Sequence, residues 1–186
     1  GPVLAAAGIV GVAVGFRAQQ LVQDVISGFF ILMEDQIRVG DVIETTGRSG
    51  LVESVSLRTT KLRDLAGNVH FIRNGKIDVV TNMTKEFSFY LVEARVAYGS
   101  DVNGVFAALR DTDAELRADP GFGGDILEPL EVLGLDRFAD SSLLIKARLK
   151  TRPSKQWRVG REFNRRLHIT FAARNIEIPF PQVTVW

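Results

Sequence analysis

Apolar and small residues fill the first 33 positions almost without a break, and the chain then changes to short alternating runs. From Gly1 to Phe16 there is no charge. Arg17 and Asp24 are the only charged residues before Glu34. A hydrocarbon core about 30 Å thick takes roughly 20 apolar residues at 1.5 Å each. The uncharged run falls slightly short of that, so hydropathy alone is borderline. Small residues distinguish the stretch. At about 100° of rotation per residue, Gly8, Gly11, Gly15 and Ala18 fall on one side of a helix, and Ala6 and Ala13 on another. Between these faces lies a stripe of Ala5, Val12 and Phe16, with Gln19 close by. Small-residue faces let helices pack closely. A ring of identical helices around an axis needs two such faces, and the stripe between them then lines the axis. Leu21, Val22, Val25, Ile26, Phe29 and Phe30 continue the helical spacing toward Met33, with Gly28 as the candidate kink.

Beyond Arg38 the pattern predicts short strands. Gly40-Asp41 and Gly47 mark turns around Val42 to Glu44. Leu51, Val55 and Leu57 alternate with polar residues. Ala66-Gly67-Asn68 is a hairpin signal before Val69 to Ile72, and Asn74-Gly75-Lys76 is a further turn. Four or five strands in so short a span predict a small β-barrel or sandwich. Phe87 to Tyr98 alternates over a long strand, with Leu91, Glu93 and Arg95 on one face and Val92, Ala94 and Val96 on the other. Asp101 is the expected N-cap of a helix running to about Leu116. Leu130 to Leu135 and Ser142 to Thr151 read as strands. Ser154 is the expected cap of a helix through Ala173, Asn175 ends it, and the last residues form a strand. Strand, helix, two strands, helix and strand predict an α+β domain.

Chemistry narrows the picture. The chain has no cysteine, hence no disulfide framework and no thiolate metal site or nucleophile. Its formal charge of +1 does not suggest nucleic acid as a partner. Neither His70 nor His168 sits in a metal-ligand spacing, and no Ser or Lys lies in a nucleophile motif. The sequence therefore calls for no cofactor, no metal and no enzymatic activity. A glycine-rich nucleotide loop is a weak reading, because the glycines are spaced 3 and 4 apart rather than 2 and 3. A buried helix of a soluble core also has close-packed glycines, but Gly8, Gly11 and Gly15 would each cost up to about 1 kcal/mol against Ala there. The first residues already lie inside an apolar run, so further upstream sequence is expected.

Four stretches in order resemble the small-conductance mechanosensitive channel (MscS-like) family. These are the small-residue helix Gly8 to Gly15 followed by Phe16, Arg38-Val-Gly-Asp41, Ile72-Arg-Asn-Gly-Lys-Ile77, and Ile178-Pro-Phe-Pro-Gln182. The third is very like the family's P-N-G-K-I signature, with Arg73 in place of Pro. The resemblance implies a homoheptamer in the cell membrane, in contact with membrane lipids. It implies a pore-lining transmembrane helix (residues 1–36), an Sm-like β-domain (37–82), a cytoplasmic α/β domain (83–178) and a short axial strand (179–186). Membrane tension would open the pore and release ions and small osmolytes. Val12 and Phe16 match the family's gate rings, which are usually Leu. Gln20 stands at a position where the family often has a kinking glycine, which leaves Gly28 as the hinge. Arg17 occupies a usually small position.

On this reading Val12 and Phe16 form the gate, and Ala5, Gly8 and Gln19 line the pore. Ala6, Gly11, Ala13 and Gly15 pack helix on helix. Arg17 and Asp24, seven residues apart on the outward face, are candidates for an ion pair or a lipid-phosphate contact. Two other readings remain. In one, the helix merely tethers a cytoplasmic ligand- or partner-binding module. In the other, the same pore exports a solute such as an amino acid.

Overall fold

The computed structural model describes residues 1–181, with Pro2 and Ala5 described by backbone alone. The chain divides into two compact units, Gly1–Lys85 and Glu86–Trp186.

The first unit opens with one unbroken helix, α1 (Pro2–Met33), followed by β1 (Val42–Thr45), β2 (Arg48–Val55), β3 (Thr59–Arg63), β4 (Val69–Arg73), a 3-10 turn at Asn74–Lys76 and β5 (Thr81–Asn82). Thr46 and Gly47 join β1 to β2 with φ of 51° and 70°, the paired positive angles that a two-residue hairpin favours. The strands form one antiparallel sheet in the order β4-β3-β2-β1-β5. A bulge between Val52 and Ser54 bends β2. The expected barrel or sandwich is corrected to an open five-stranded sheet among the described residues. β5 is only two residues long, and β4 runs straight into the 3-10 turn, so neither edge offers a ladder long enough to close. Alternation puts Ile43, Val52, Leu62 and Ile72 inward, where Ile31 from the end of α1 and Ile37 join them in one cluster.

The second unit contains β6 (Ser88–Val96), α2 (Val102–Ala118), a 3-10 turn at Gly123–Asp125, β7 (Glu131–Phe138), β8 (Leu143–Thr151) and α3 (Gln156–Ala173). Its antiparallel sheet has the order β6-β8-β7, so β8, buried at alternate positions and beyond, is central. Val92, Ala94 and Val96 face inward from β6, as the alternation predicts. Asp101 caps α2 by accepting from the Asn103 N–H at 3.1 Å. α2 contributes Val105, Ala108, Leu109 and Leu116, and α3 contributes Val159, Phe163, Leu167 and Phe171. Both sets have helical spacing. A fully buried side chain such as Phe163 adds about 1.5–3 kcal/mol of hydrophobic stabilisation.

Ser154 does not cap α3. It lies at φ 66°, in the left-handed region, whereas an N-cap needs extended backbone, and Lys155 is the residue at the cap. Asn175, at φ 52°, does end the helix in the left-handed conformation common just past a C-cap. The axial strand expected at 179–186 falls largely on residues outside those described. Arg158 and Arg166 of α3 are both engaged. They hold Asp125 and Asp119 respectively, and both lie over the Phe122 ring. Glu162 accepts from Arg165 and Arg166, which hold its carboxyl down to about 2.

Candidate functional site

The last third of α1 is joined to the β-sheet through the Asn74-Gly75-Lys76 turn. Asn74 is fully buried. Its side-chain amide donates to the carbonyls of Ser56 and Leu57 at 2.8 and 3.0 Å, and its side-chain oxygen accepts from the Thr60 hydroxyl at 2.8 Å. Its backbone N–H donates to the Arg58 carbonyl at 2.8 Å. The residue thus fills every main polar valence in a closed space, between a strand end and the β2–β3 turn. Gly75 donates its N–H to Asp24 Oδ1 at 3.0 Å, and its carbonyl accepts from Gln23 at 3.3 Å. A Cβ on Gly75 would sit 2.5 Å from that same Asp24 oxygen. Only glycine lets the helix carboxylate reach the turn.

Gly28 lies directly below. A Cβ there would overlap the Leu57 carbonyl oxygen and lie 2.5 Å from the Asn74 amide nitrogen. The helix runs through Gly28 without a break. In this conformation the glycine serves close approach of the sheet, and its role as a hinge stays a proposal.

Asp24 is 3% exposed, so it is not a surface group. Within the chain its ion pair is with Arg58, at 3.8 Å, rather than with Arg17. The reason is tertiary: the β2–β3 and β4 turns close over the helix at this level and bring a guanidinium and an N–H to it. Arg17 is exposed and shares with Asp24 a surface hollow of about 330 Å³, lined also by Gln20, Leu21, Arg58 and Arg73.

Above this joint nothing among the described residues covers α1. Val12 is 60% and Phe16 66% exposed, one helical turn apart on one face. Gly8, Gly11 and Gly15 have no atom within 4 Å of where a side chain would begin. Ala6 and Ala13 are exposed as well, and Gln19 lines a shallow groove with Val22, Gln23, Ile26 and Ser27. Ala5 is placed by its backbone only. Among the described residues no helix is long and apolar enough to cross a membrane. Nor does any cluster of His, Cys, Asp and Glu among them have the makings of a metal site. The sequence reading missed Leu57 and Asn74 as neighbours of the helix. The one available signal was Asn74-Gly75 itself, read as a turn and a motif but given no role.

The joint and its sheet define the protein class. The family model described as "Mechanosensitive ion channel, beta-domain" matches residues 20–85, which contain both sides of the joint. The chain is 40% identical over 182 residues to the small-conductance mechanosensitive channel of Caldanaerobacter subterraneus subsp. tengcongensis, covering 98% of this chain and 64% of that protein. It is 30% identical over 158 residues to the moderate conductance mechanosensitive channel YbiO of Escherichia coli, covering 85% of this chain and 21% of that protein. The fold matches the crystal structure of Helicobacter pylori MscS in its closed state, with a TM-score of 0.77 and 23% identity. That match covers all of this chain and 72% of the other. The chain belongs to the MscS-like family, a family of mechanosensitive channels and not of enzymes.

Proposed function

We propose that the chain is the pore-lining and cytoplasmic part of a homoheptameric ion channel subunit in the cell membrane. In this reading bilayer tension opens the pore and releases ions and small osmolytes. The observation that carries it is the uncovered upper part of α1. A helix that is apolar nearly all round is stable only when something buries it, and among the described residues nothing lies within 4 Å of where a side chain would begin at Gly8, Gly11 or Gly15. Copies of the same helix, meeting through Ala6, Gly11, Ala13 and Gly15, supply that cover, and Val12, Phe16, Ala5, Gly8 and Gln19 then face the axis.

Gln19 and Gln20 sit in the middle of the helix, and a pore-lining position accounts for them. Residues facing a water-filled axis or a neighbouring helix do not need to be lipid-compatible. Arg17 then marks the level at which the helix leaves the hydrocarbon. Tension favours the conformation of larger in-plane area, so opening is a population shift between two helix packings. In the closed packing, rings of Val12 and Phe16 narrow the axis until water leaves it.

The deciding experiment is tension-dependent patch recording of the full-length protein in liposomes, with mass measurement in detergent beside it. Tension-gated currents and a heptameric mass are expected. Silence up to membrane rupture would favour the tethered binding module. The Phe16→Ser variant puts one hydroxyl per subunit into the constriction. It should conduct at lower tension than the parent, whereas Arg17→Ser, facing outward, should not.

A further inference from the structure

We infer that the hollow beside the joint, lined by Arg17, Gln20, Leu21, Asp24, Arg58 and Arg73, is a binding site for a phosphate-bearing anion. Three arginines line it and only one acidic residue. That carboxylate is already engaged, since Asp24 accepts from the Gly75 N–H at 3.0 Å and stands 3.8 Å from Arg58. Arg17 has no carboxylate partner among the described residues. Arg73 has none either, and reaches only the Gln20 side-chain oxygen, at 3.5 Å. Two positive charges are therefore left uncompensated.

The scaffold holds these groups in place. Arg73, at the end of β4, is paired through its backbone with Thr59, the first residue of β3, so Arg73 and Arg58, which precedes Thr59 in the β2–β3 turn, start from the same end of this ladder. The Arg58 carbonyl is fixed by the Asn74 N–H. Arg17 enters from the helix one turn above Leu21. The volume, about 330 Å³, equals the space of roughly ten waters, room for a phosphate group with part of its hydration. Planar guanidinium forks match the oxygens of a phosphate and bind it in pairs. Leu21, half exposed, offers an apolar wall to whatever the phosphate is attached to.

The phosphate can belong to an anionic lipid headgroup or to a soluble phosphate. The lipid source rests on the channel reading above. The test uses the full-length protein and the double variant Arg17→Gln/Arg73→Gln. Both positions lie outside the Asp24–Gly75 contact, so the fold is retained. Arg48→Gln, an exposed charge on the β1–β2 hairpin, is the control for net charge. In nanodiscs mixing phosphatidylglycerol with phosphatidylcholine, native mass spectrometry should show the parent and Arg48→Gln retaining phosphatidylglycerol at least about tenfold over phosphatidylcholine. The double variant should fall to within about twofold. If the parent shows no lipid preference but inorganic phosphate raises its thermal midpoint, and the double variant loses that shift, the ligand is a soluble phosphate. Equal behaviour of parent and double variant in both assays overturns the site. Patch recording on the same preparations separates the two readings. Currents without a binding difference overturn the hollow alone, and binding without currents overturns the channel alone.

Discussion

Replacing Gly28 by Ala tests whether the joint is a packed contact or a flexible point. In an exposed helix interior the change would stabilise the protein by up to about 1 kcal/mol, because Ala is the better helix former. Here the added methyl meets the Leu57 carbonyl oxygen and the Asn74 amide. Backbone cannot rotate away as a flexible side chain would, so either the sheet shifts or the helix lifts. Overpacking of this kind costs about 1–3 kcal/mol. If the helix lifts, the Gly75-to-Asp24 hydrogen bond goes with it, a charge-assisted bond worth about 1.5–3 kcal/mol. The net expectation is a loss of roughly 1–3 kcal/mol. For a chain of this size that lowers Tm by about 2–4 °C per kcal/mol. The assay is thermal unfolding together with amide hydrogen exchange at Gly75. Gly28→Ala should unfold earlier, and the Gly75 N–H should exchange faster. A variant equal to or more stable than the parent, with Gly75 protection unchanged, would refute the packing argument and leave Gly28 as a candidate hinge.

Three further outcomes are expected. Asp24→Ala should destabilise by about 1–3 kcal/mol, because the Gly75 N–H is left without its acceptor; Asp24→Asn, which keeps an acceptor oxygen, should recover most of the loss in the same unfolding assay. Gly15→Leu should raise the tension threshold of assembled channels, since a bulky side chain cannot enter a close helix contact, and an unchanged threshold would remove the ring-packing argument. Acid should weaken the fold in a defined window. Hydrogen bonds from Arg165 and Arg166 hold Glu162 down to about 2 from 4.5, and those from Arg63 and Lys61 do the same for Glu53. Asn68 and then His70 lower Asp64 to about 2 from 3.8. The stability these carboxylates contribute is present above their ordinary values and is lost as pH falls toward about 2. Circular dichroism followed from pH 6 down should show Glu162→Gln losing less than the parent across that window.

Elements whose signal is local were legible in the residues. The alternation of Val92, Ala94 and Val96 placed β6, and Asp101 placed the start of α2, because both depend only on near neighbours. The long helix was legible for the same reason. What failed was tertiary. Ser154 has a capping side chain, but the chain before it turns through a left-handed residue, which no local preference announces. The sheet remained open because its closing partners are too short, a property of edges and not of any one strand's pattern. Asp24 lies about fifty residues from Gly75 and thirty-four from Arg58 along the chain, so its burial and its true partners were invisible to helical spacing. Gly28 was read as a hinge, and its close approach to the Leu57 carbonyl across the joint is a second constraint that no local pattern announces. The expectations about Val12 and Phe16 concern contacts between copies, and they stay proposals.

The way α1 is held makes it a lever with its fulcrum near one end. From Asp24 upward the rod extends roughly 35 Å at 1.5 Å per residue, with no hydrogen bond to the sheet above Gln20 among the described residues. A tilt of about 5° at Asp24 swings the far tip by about 3 Å, on the scale of a side-chain contact, while the pivot atoms themselves move by far less. Hydrogen bonds at Gly75 and the steric stop at Gly28 therefore govern displacements many times larger than the tolerance of the contacts that set them.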